Sequence, residues 1–385
     1  MTRRRIWIWR ALGGAFLVLV VLSAGAAVLL RSDPERREDP AGLVEEAAAA
    51  LRAARSEEAG RRAPLNLAHA EDTYTAGLLE RRRQELRFVL LRDYRRAHAT
   101  LQESLARART ASALAQRSAQ RDLTRASRAL AAADAAVLAL EGTEDRIWMP
   151  QPVRQRLQRA RAMASEARSF LDHEEYDAAV ARAHAAKAEA DDVGATLHAV
   201  TSRFTDDGQI RVWRGWVAET IEWSRSTGKT ALVVDKDAHR LVVYQAGRVV
   251  REYDAEIGWN NVGDKLHQGD GATPEGRYKI TQKKTRASTR YYKALLLDYP
   301  TAEDRRQLDA LKDAGEVPRA TRVGGLIEIH GEGGRGKDWT DGCVAITNDE
   351  IDWIFTRVAV GTPVTIVGSA SGEGLFSDLA RRLGR

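Results

Sequence analysis

The amino-acid sequence predicts a multidomain α+β chain with an N-terminal membrane helix, a long helical region and a C-terminal, mostly antiparallel β domain. Three observations carry this expectation. Residues 11–30 hold no charged side chain. Residues 41–200 are rich in Ala, Arg, Glu and Leu, with only three prolines, Pro64, Pro150 and Pro152. From residue 230 onward, short β-rich runs alternate with Gly, Asp and Asn turns. At 385 residues the chain has room for two or more units, since domains run to about 100–200 residues.

Residues 1–10, MTRRRIWIWR, read as a basic cytoplasmic tail containing Arg3, Arg4, Arg5 and Arg10. Residues 11–30 follow as a transmembrane signal anchor, because twenty residues at about 1.5 Å each match a hydrocarbon core of about 30 Å. Arginines on the N-terminal side place that end in the cytoplasm and everything after residue 31 outside it. A buried soluble helix is one alternative. A cleaved signal peptide is another, with Ala24-Gly25-Ala26 as its site. The run stays apolar to Leu30, which favours the uncleaved anchor, and no cysteine near residue 26 supports a lipoprotein.

Residues 41–200 read as a helical bundle or stalk with a weak internal repeat. DYRRAHATLQESLARAR (93–109) can be laid over EYDAAVARAHAAKAEA (175–190), matching Tyr94 with Tyr176, Ala97 with Ala179, Leu101 with Ala183 and Ala106 with Ala188. Small residues at helical spacing let helices approach closely. The heptads are too irregular to specify a coiled coil, and GTEDRIWMPQP (142–152) splits the region into two blocks. A spacer or packing scaffold is the plain reading; a partner-binding arm is the sharper one. His69, His98, His173, His184 and His198 lack metal-ligand spacing and read as surface residues. Residues 208–229 form a linker helix with Ile210, Trp213, Val217 and Ile221 on one face, packed against the next domain or, alternatively, offering an aromatic platform to a sugar.

Charge narrows the function. The chain carries 60 Lys and Arg against 54 Asp and Glu, a net +6, with both signs interspersed and no long basic block. That pattern fits solvated helices and not a nucleic-acid footprint. A single cysteine, Cys343, rules out an internal disulfide.

Residues 230–368 form the β domain, and 369–385 a C-terminal tail. Two helices interrupt the strands, TAEDRRQLDALKDAG (301–315) and NDEIDWIFTRVAVG (348–361), the second entered through a capping box from Thr347 to Glu350. Within this domain, IHGEGGRGKDWTDGC (329–343) invites two readings. Gly331 to Lys337 spells most of a phosphate-binding loop, but Asp338 stands where a magnesium-binding hydroxyl belongs, and WTDGCVAIT reads as turn and strand, not helix. The thiol reading fits better. His330 ends one strand, Cys343 begins the next, and neighbouring strand ends can bring base and nucleophile together. Gly342 lets the backbone turn so that its N–H and that of Cys343 face a substrate carbonyl.

IEIHGEGG…DWTDGCVAITNDEID resembles the signature of the L,D-transpeptidase (YkuD-type) catalytic domain, and GDGATPEGRYKI (269–280) resembles that family's segment before a strand. The resemblance covers about residues 230–368. It implies Cys343 as nucleophile, His330 as base, the Gly331 carbonyl orienting His330, and Gly342 and Cys343 N–H groups as the oxyanion hole. Trp339, Thr340 and Asp341 become the candidate substrate-binding residues, with Thr340 shaping the turn. Two positions depart from the family pattern: Asp341 replaces a second histidine, and Ala345 replaces an arginine. Asp341 is expected to point away from the sulfur and to pair with a substrate amine.

The implied activity is an acyl transfer on peptidoglycan stem peptides through a thioester, forming cross-links without a metal or organic cofactor. Two alternatives stay open: an L,D-carboxypeptidase or hydrolase using water at the same site, and an inactive wall-binding scaffold. The expected location is the inner membrane, single-pass, with helical and catalytic regions in the periplasm and protein partners possible along the helical region.

Overall fold

The computed structural model describes residues 34–384 together with Val20 and Ser23. The membrane-helix reading of residues 11–30 therefore falls almost wholly outside the described residues. Among those described, no helix is long and apolar enough to cross a membrane.

The chain divides into two compact units, Met1–Arg125 and Ala126–Arg385. The first contains helices α1 (Ala41–Ser56), α2 (Ala59–Arg62), α3 (Pro64–Glu85) and the start of α4 (Arg95–Ala139). Its core is built from Leu51, Ala54, Leu67, Ala70, Ala108, Ala111 and Ala115. The second holds the end of α4, α5 (Thr143–Arg146), α6 (Gln151–Asp172), α7 (Tyr176–Thr201) and everything beyond.

The two overlaid segments lie on helices α4 and α7. On α4 the buried positions include 97, 101, 104, 108, 111 and 115; on α7 they include 179, 183, 186, 190, 193 and 197. Both series step by four and three alternately, the seam of a coiled coil. Alanine or serine fills most of these positions, so helices pack closely without a visible hydrophobic heptad. Ala106 and Ala188 lie off this seam and are exposed. His98 corrects the surface reading of the histidines: it is buried, and its Nε2 donates to the Glu38 carbonyl at 2.9 Å.

Helix α8 (Asp207–Thr227) starts at Asp206, whose side chain accepts from Gln209 N–H, and stops at Gly228 in the left-handed region. It packs on the β-sheet and is not merely a linker. Trp213 is fully buried with Phe204, Val367 and Phe376, which rules it out as a sugar platform.

The sheet has strands β1 (Thr230–Asp235), β2 (Arg240–Gln245), β3 (Arg248–Asp254), β4 (Gly276–Thr285), β5 (Lys293–Leu297), β6 (Glu328–His330), β7 (Val344–Ala345) and β8 (Pro363–Val367), in the order β3-β2-β1-β8-β4-β5-β6-β7. β1–β8 and β6–β7 are parallel, and the other neighbours antiparallel. All of β1 is buried, with α8 on it. The core gathers Leu232, Val243, Tyr278, Ile280, Leu295, Ile329, Val344 and Ile366.

Helix α9 (Ala302–Asp313) and helix α10 (Asn348–Phe355) both begin in capping boxes, at Thr301 and Thr347. The second is shorter than the sequence suggests: after Phe355 the chain turns, and residues 356–361 are not helical. Residues 369–385, read as a tail, contain helix α11 (Leu375–Leu383), which buries Phe376, Leu379 and Ala380 and packs on α7. Apolar residues spaced three and four apart drive that docking.

Candidate active site

Strand pairing sets the positions of the two reactive side chains. In the parallel β6–β7 pair, Ile329 lies opposite Val344 and His330 opposite Ala345. Side chains alternate faces along a strand, and paired residues share a face. Cys343 stands immediately before β7, two residues from Ala345, and its Sγ lies 3.6 Å from the Leu326 carbonyl. The register sets the strand end that carries His330 beside the strand that Cys343 leads into.

The connecting loop is anchored at several points. The Glu256 carboxylate accepts from Gly336 N–H at 2.6 Å and from Trp339 Nε1–H at 2.7 Å. Asp338 accepts from Ile257 N–H at 2.9 Å, from His239 Nε2 at 2.9 Å and from Asn261 Nδ2 at 2.8 Å. Trp259 N–H donates to the Thr340 carbonyl at 2.9 Å. These contacts settle the phosphate-loop ambiguity: a carboxylate occupies the Gly336 N–H, and no helix follows Lys337. Among the described residues, no cluster of His, Cys, Asp and Glu could hold a metal.

The turn into Cys343 requires glycine. Gly342 has φ +123°, and a Cβ there would lie 2.5 Å from the Ala272 carbonyl oxygen. Thr340 is buried; its hydroxyl accepts from Gly342 N–H at 3.2 Å and donates to the Cys343 carbonyl at 2.7 Å. Thr340 is thus used inside the turn, the shaping role expected of it, with its hydroxyl already engaged there. The Gly342 N–H, expected as half of an oxyanion hole, is turned toward Thr340, and the Cys343 N–H is the other half of that pair. Thr273, from the 269–276 segment, reaches the same Cys343 carbonyl at 3.4 Å.

His330 is fully buried. Its Nδ1 lies 2.6 Å from the Gly331 carbonyl. A carbonyl only accepts, so Nδ1 carries the proton and Nε2 keeps its lone pair. Nε2 is buried and has no hydrogen-bond partner among the described residues. A Cβ on Gly331 would come within 2.5 Å of Asn348 Oδ1, so this position also favours glycine. Tyr291 stacks on the imidazole with centroids 3.5 Å apart, and Trp339 meets it edge-on at 5.8 Å.

Burial dominates the electrostatics. It pushes the Cys343 thiol up to about 11, against the Glu328 N–H and the Arg290 and Lys265 cations, which favour the thiolate. It also lowers His330 to about 4, with the Arg290 and Arg335 cations adding to the effect. Both groups therefore rest neutral, and the thiol is directed at the Leu326 carbonyl, 3.6 Å away. Glu328, close to the sulfur, is itself paired with Lys284 at 2.8 Å.

Trp339 and Asp341 flank the site differently. Arg335 covers the Trp339 ring at 3.4 Å. Asp341 is exposed and accepts from Trp259 Nε1–H at 3.2 Å. Trp259 in turn packs on Trp148, 5.2 Å between ring centroids, at a cleft of about 870 Å³ that also includes Arg146 and Lys337. Sequence reasoning missed Tyr291, Arg290, Glu256, Thr273 and Trp148. Arg290 donates to the Tyr291 hydroxyl at 2.6 Å, and Ala345, where the family pattern has an arginine, is buried. Thr273 lies in the 269–280 segment already singled out, whereas no motif marks the other four; only folding brings them to residues 330–343.

Residues 229–366 match the family model YkuD, the L,D-transpeptidase catalytic domain. "Putative L,D-transpeptidase YafK" of Escherichia coli (strain K12) is 33% identical over 97 residues, 25% of this chain and 32% of that protein. The chain thus spans about a third of the length of the curated relative it matches. Among solved structures, Bd1075 of Bdellovibrio bacteriovorus is similar with TM-score 0.29 and 23% identity over 41% of this chain and 54% of that one. A mutant of the helical cell shape determining protein Pgp2 of Campylobacter jejuni gives TM-score 0.28 and 22% identity over 40% of this chain and 53% of that one.

Proposed function

We propose that residues 229–366, an L,D-transpeptidase catalytic domain by their family match, transfer acyl groups between peptidoglycan stem peptides through Cys343. The observation that carries this reading is the buried, unpartnered Nε2 of His330, held by the Gly331 carbonyl at the end of the strand paired with the one Cys343 leads into.

In this reading the substrate carbonyl approaches Sγ, and His330 Nε2 takes the thiol proton as the S–C bond forms. The developing oxyanion is met by the Cys343 N–H. The tetrahedral centre collapses, the terminal D-amino acid leaves with the proton from His330, and a thioester remains. A second stem's amine then attacks, His330 accepts its proton, and the thiol is restored as the cross-link forms. A neutral resting pair suits this sequence, because charge appears only when substrate is present to use it.

Arg290 supplies the cation that Ala345 does not. Its charge reaches both Cys343 and His330 and fits a substrate carboxylate. Asp341, exposed at the Trp259 side, fits a substrate amine, and the Trp148–Trp259 pair extends the groove. The uncharged run at 11–30 leads us to place the chain as a single-pass protein of the inner membrane, with this domain in the periplasm.

The test is incubation of the full chain in detergent with purified tetrapeptide muropeptides, beside Cys343→Ala, followed by mass analysis. Dimers absent from the Cys343→Ala sample support the transpeptidase. Loss of one residue with water added assigns a hydrolase to the same site. Identical traces overturn both.

A further inference from the structure

We propose that residues 86–91, the turn between α3 and α4, are a membrane-resting tip that docks on an anionic phospholipid surface. Leu86, Phe88, Val89, Leu90 and Leu91 are between 59% and 76% exposed, a contiguous apolar patch at one turn. Exposed patches of this kind mark interaction surfaces, whereas scattered single residues do not.

The turn is held in shape from within. Leu86 N–H donates to the Arg82 carbonyl and Leu91 N–H to the Phe88 carbonyl. Arg92 donates to the Glu85 carbonyl at 2.9 Å and to the Arg87 carbonyl at 3.2 Å. Gln84, buried beneath, accepts from Asp93 N–H at 3.1 Å. With the backbone held by these bonds, the apolar side chains project outward without a core of their own.

Charge selects the occupant. Residues 81–96 contain seven arginines against Glu85 and Asp93. Apolar residues ringed by arginine suit the boundary between acyl chains and anionic headgroups. A second, independent relationship puts that boundary nearby. The chain enters this unit beside the turn: Tyr94 N–H donates to the Arg36 carbonyl at 3.0 Å, and Arg81 pairs with Asp39 at 2.6 Å. The apolar run of residues 11–30 ends four residues before Pro34, a reach of at most about 14 Å. A bilayer spanned by that run would lie within reach of the turn. The inference stands apart from the catalytic reading but rests on the single-pass membrane placement proposed above.

The test uses the full chain with Cys343→Ser and a single Leu90→Cys carrying an environment-sensitive fluorophore, reconstituted into phosphatidylethanolamine–phosphatidylglycerol vesicles. Leu138→Cys, an exposed apolar position elsewhere, is the control. Lipid-borne shallow quenchers should reduce emission at position 90 at least about twofold more than at 138. Replacing phosphatidylglycerol with phosphatidylcholine should diminish that difference. Equal quenching at both positions, or equal access to aqueous iodide, overturns the proposal. A probe shielded from iodide yet untouched by the lipid quencher assigns the turn to a protein contact and overturns it too.

Discussion

The imidazole of His330 lies flat against the phenol of Tyr291, planes within 4° of parallel and centroids 3.5 Å apart. With Nδ1 held by Gly331, the stack fixes the remaining freedom of the ring and directs Nε2. Tyr291→Ala should lower kcat by about 10–100-fold, since small misplacements of a catalytic group cost that much. Tyr291→Phe keeps the ring and should retain kcat within about threefold. Steady-state kinetics on a tetrapeptide substrate separates the two.

The neutral resting pair sets a pH signature. Thiolate supply at a thiol of about 11 should make alkylation of Cys343 by iodoacetamide rise about tenfold per pH unit from 7 to 10. A plateau below pH 8 would indicate an ion pair and sink this description. The proposed mechanism needs neutral His330, whose value of about 4 should keep kcat/KM level down to about pH 5. The sign for stability follows from the same value. The folded state binds fewer protons at His330 than the unfolded chain does below about 6.5, so this group reduces stability as pH falls toward 4.

Arg290 should act on binding more than on chemistry. Arg290→Ala is expected to raise KM about tenfold for substrates bearing a free carboxylate, with kcat within about threefold. Amidation of that carboxylate should abolish the difference between wild type and variant. An unchanged KM would remove Arg290 from substrate recognition.

Asp338 joins three donors, His239, Asn261 and Ile257 N–H, to the loop between His330 and Cys343. The carboxyl stays below its usual range despite burial, because the His239 bond and charge, the Ile257 N–H and the Asn261 amide favour the charged form. Asp338→Ala leaves these donors unmatched and should cost about 2–4 kcal/mol. A lowered thermal midpoint and faster proteolysis within residues 331–342 would register it; an unchanged midpoint would contradict it.

Residues whose chemistry is local were readable from the sequence. Cys343 and His330 declare themselves as a thiol and an imidazole flanked by glycines, and the Thr347 capping box follows from adjacent residues. What escaped depended on partners far along the chain. Tyr291 and Arg290 sit some forty residues before His330, and only the antiparallel β5–β6 pairing carries them to it. The seam of α4 and α7 escaped for another reason. Alanine fills buried and exposed positions alike, so burial leaves no hydrophobic contrast to detect. Phe376 belongs to a helix whose apolar face is evident only once α7 is there to receive it.

Gly342 gives the sharpest test of the turn itself. Its φ of +123° is outside what a side chain tolerates, and an added Cβ would collide with the Ala272 carbonyl, a backbone atom that cannot swing aside. Gly342→Ala must therefore move either the 269–276 segment or the peptide joining residues 342 and 343. The second movement rotates the Cys343 N–H away from the developing oxyanion. Loss of one such donor costs about 10²–10³ in kcat. Alkylation of Cys343 should change far less, because the sulfur keeps its buried surroundings. If turnover and alkylation fall together, the turn positions the sulfur and not the oxyanion donor, and the role given to the Cys343 N–H is wrong.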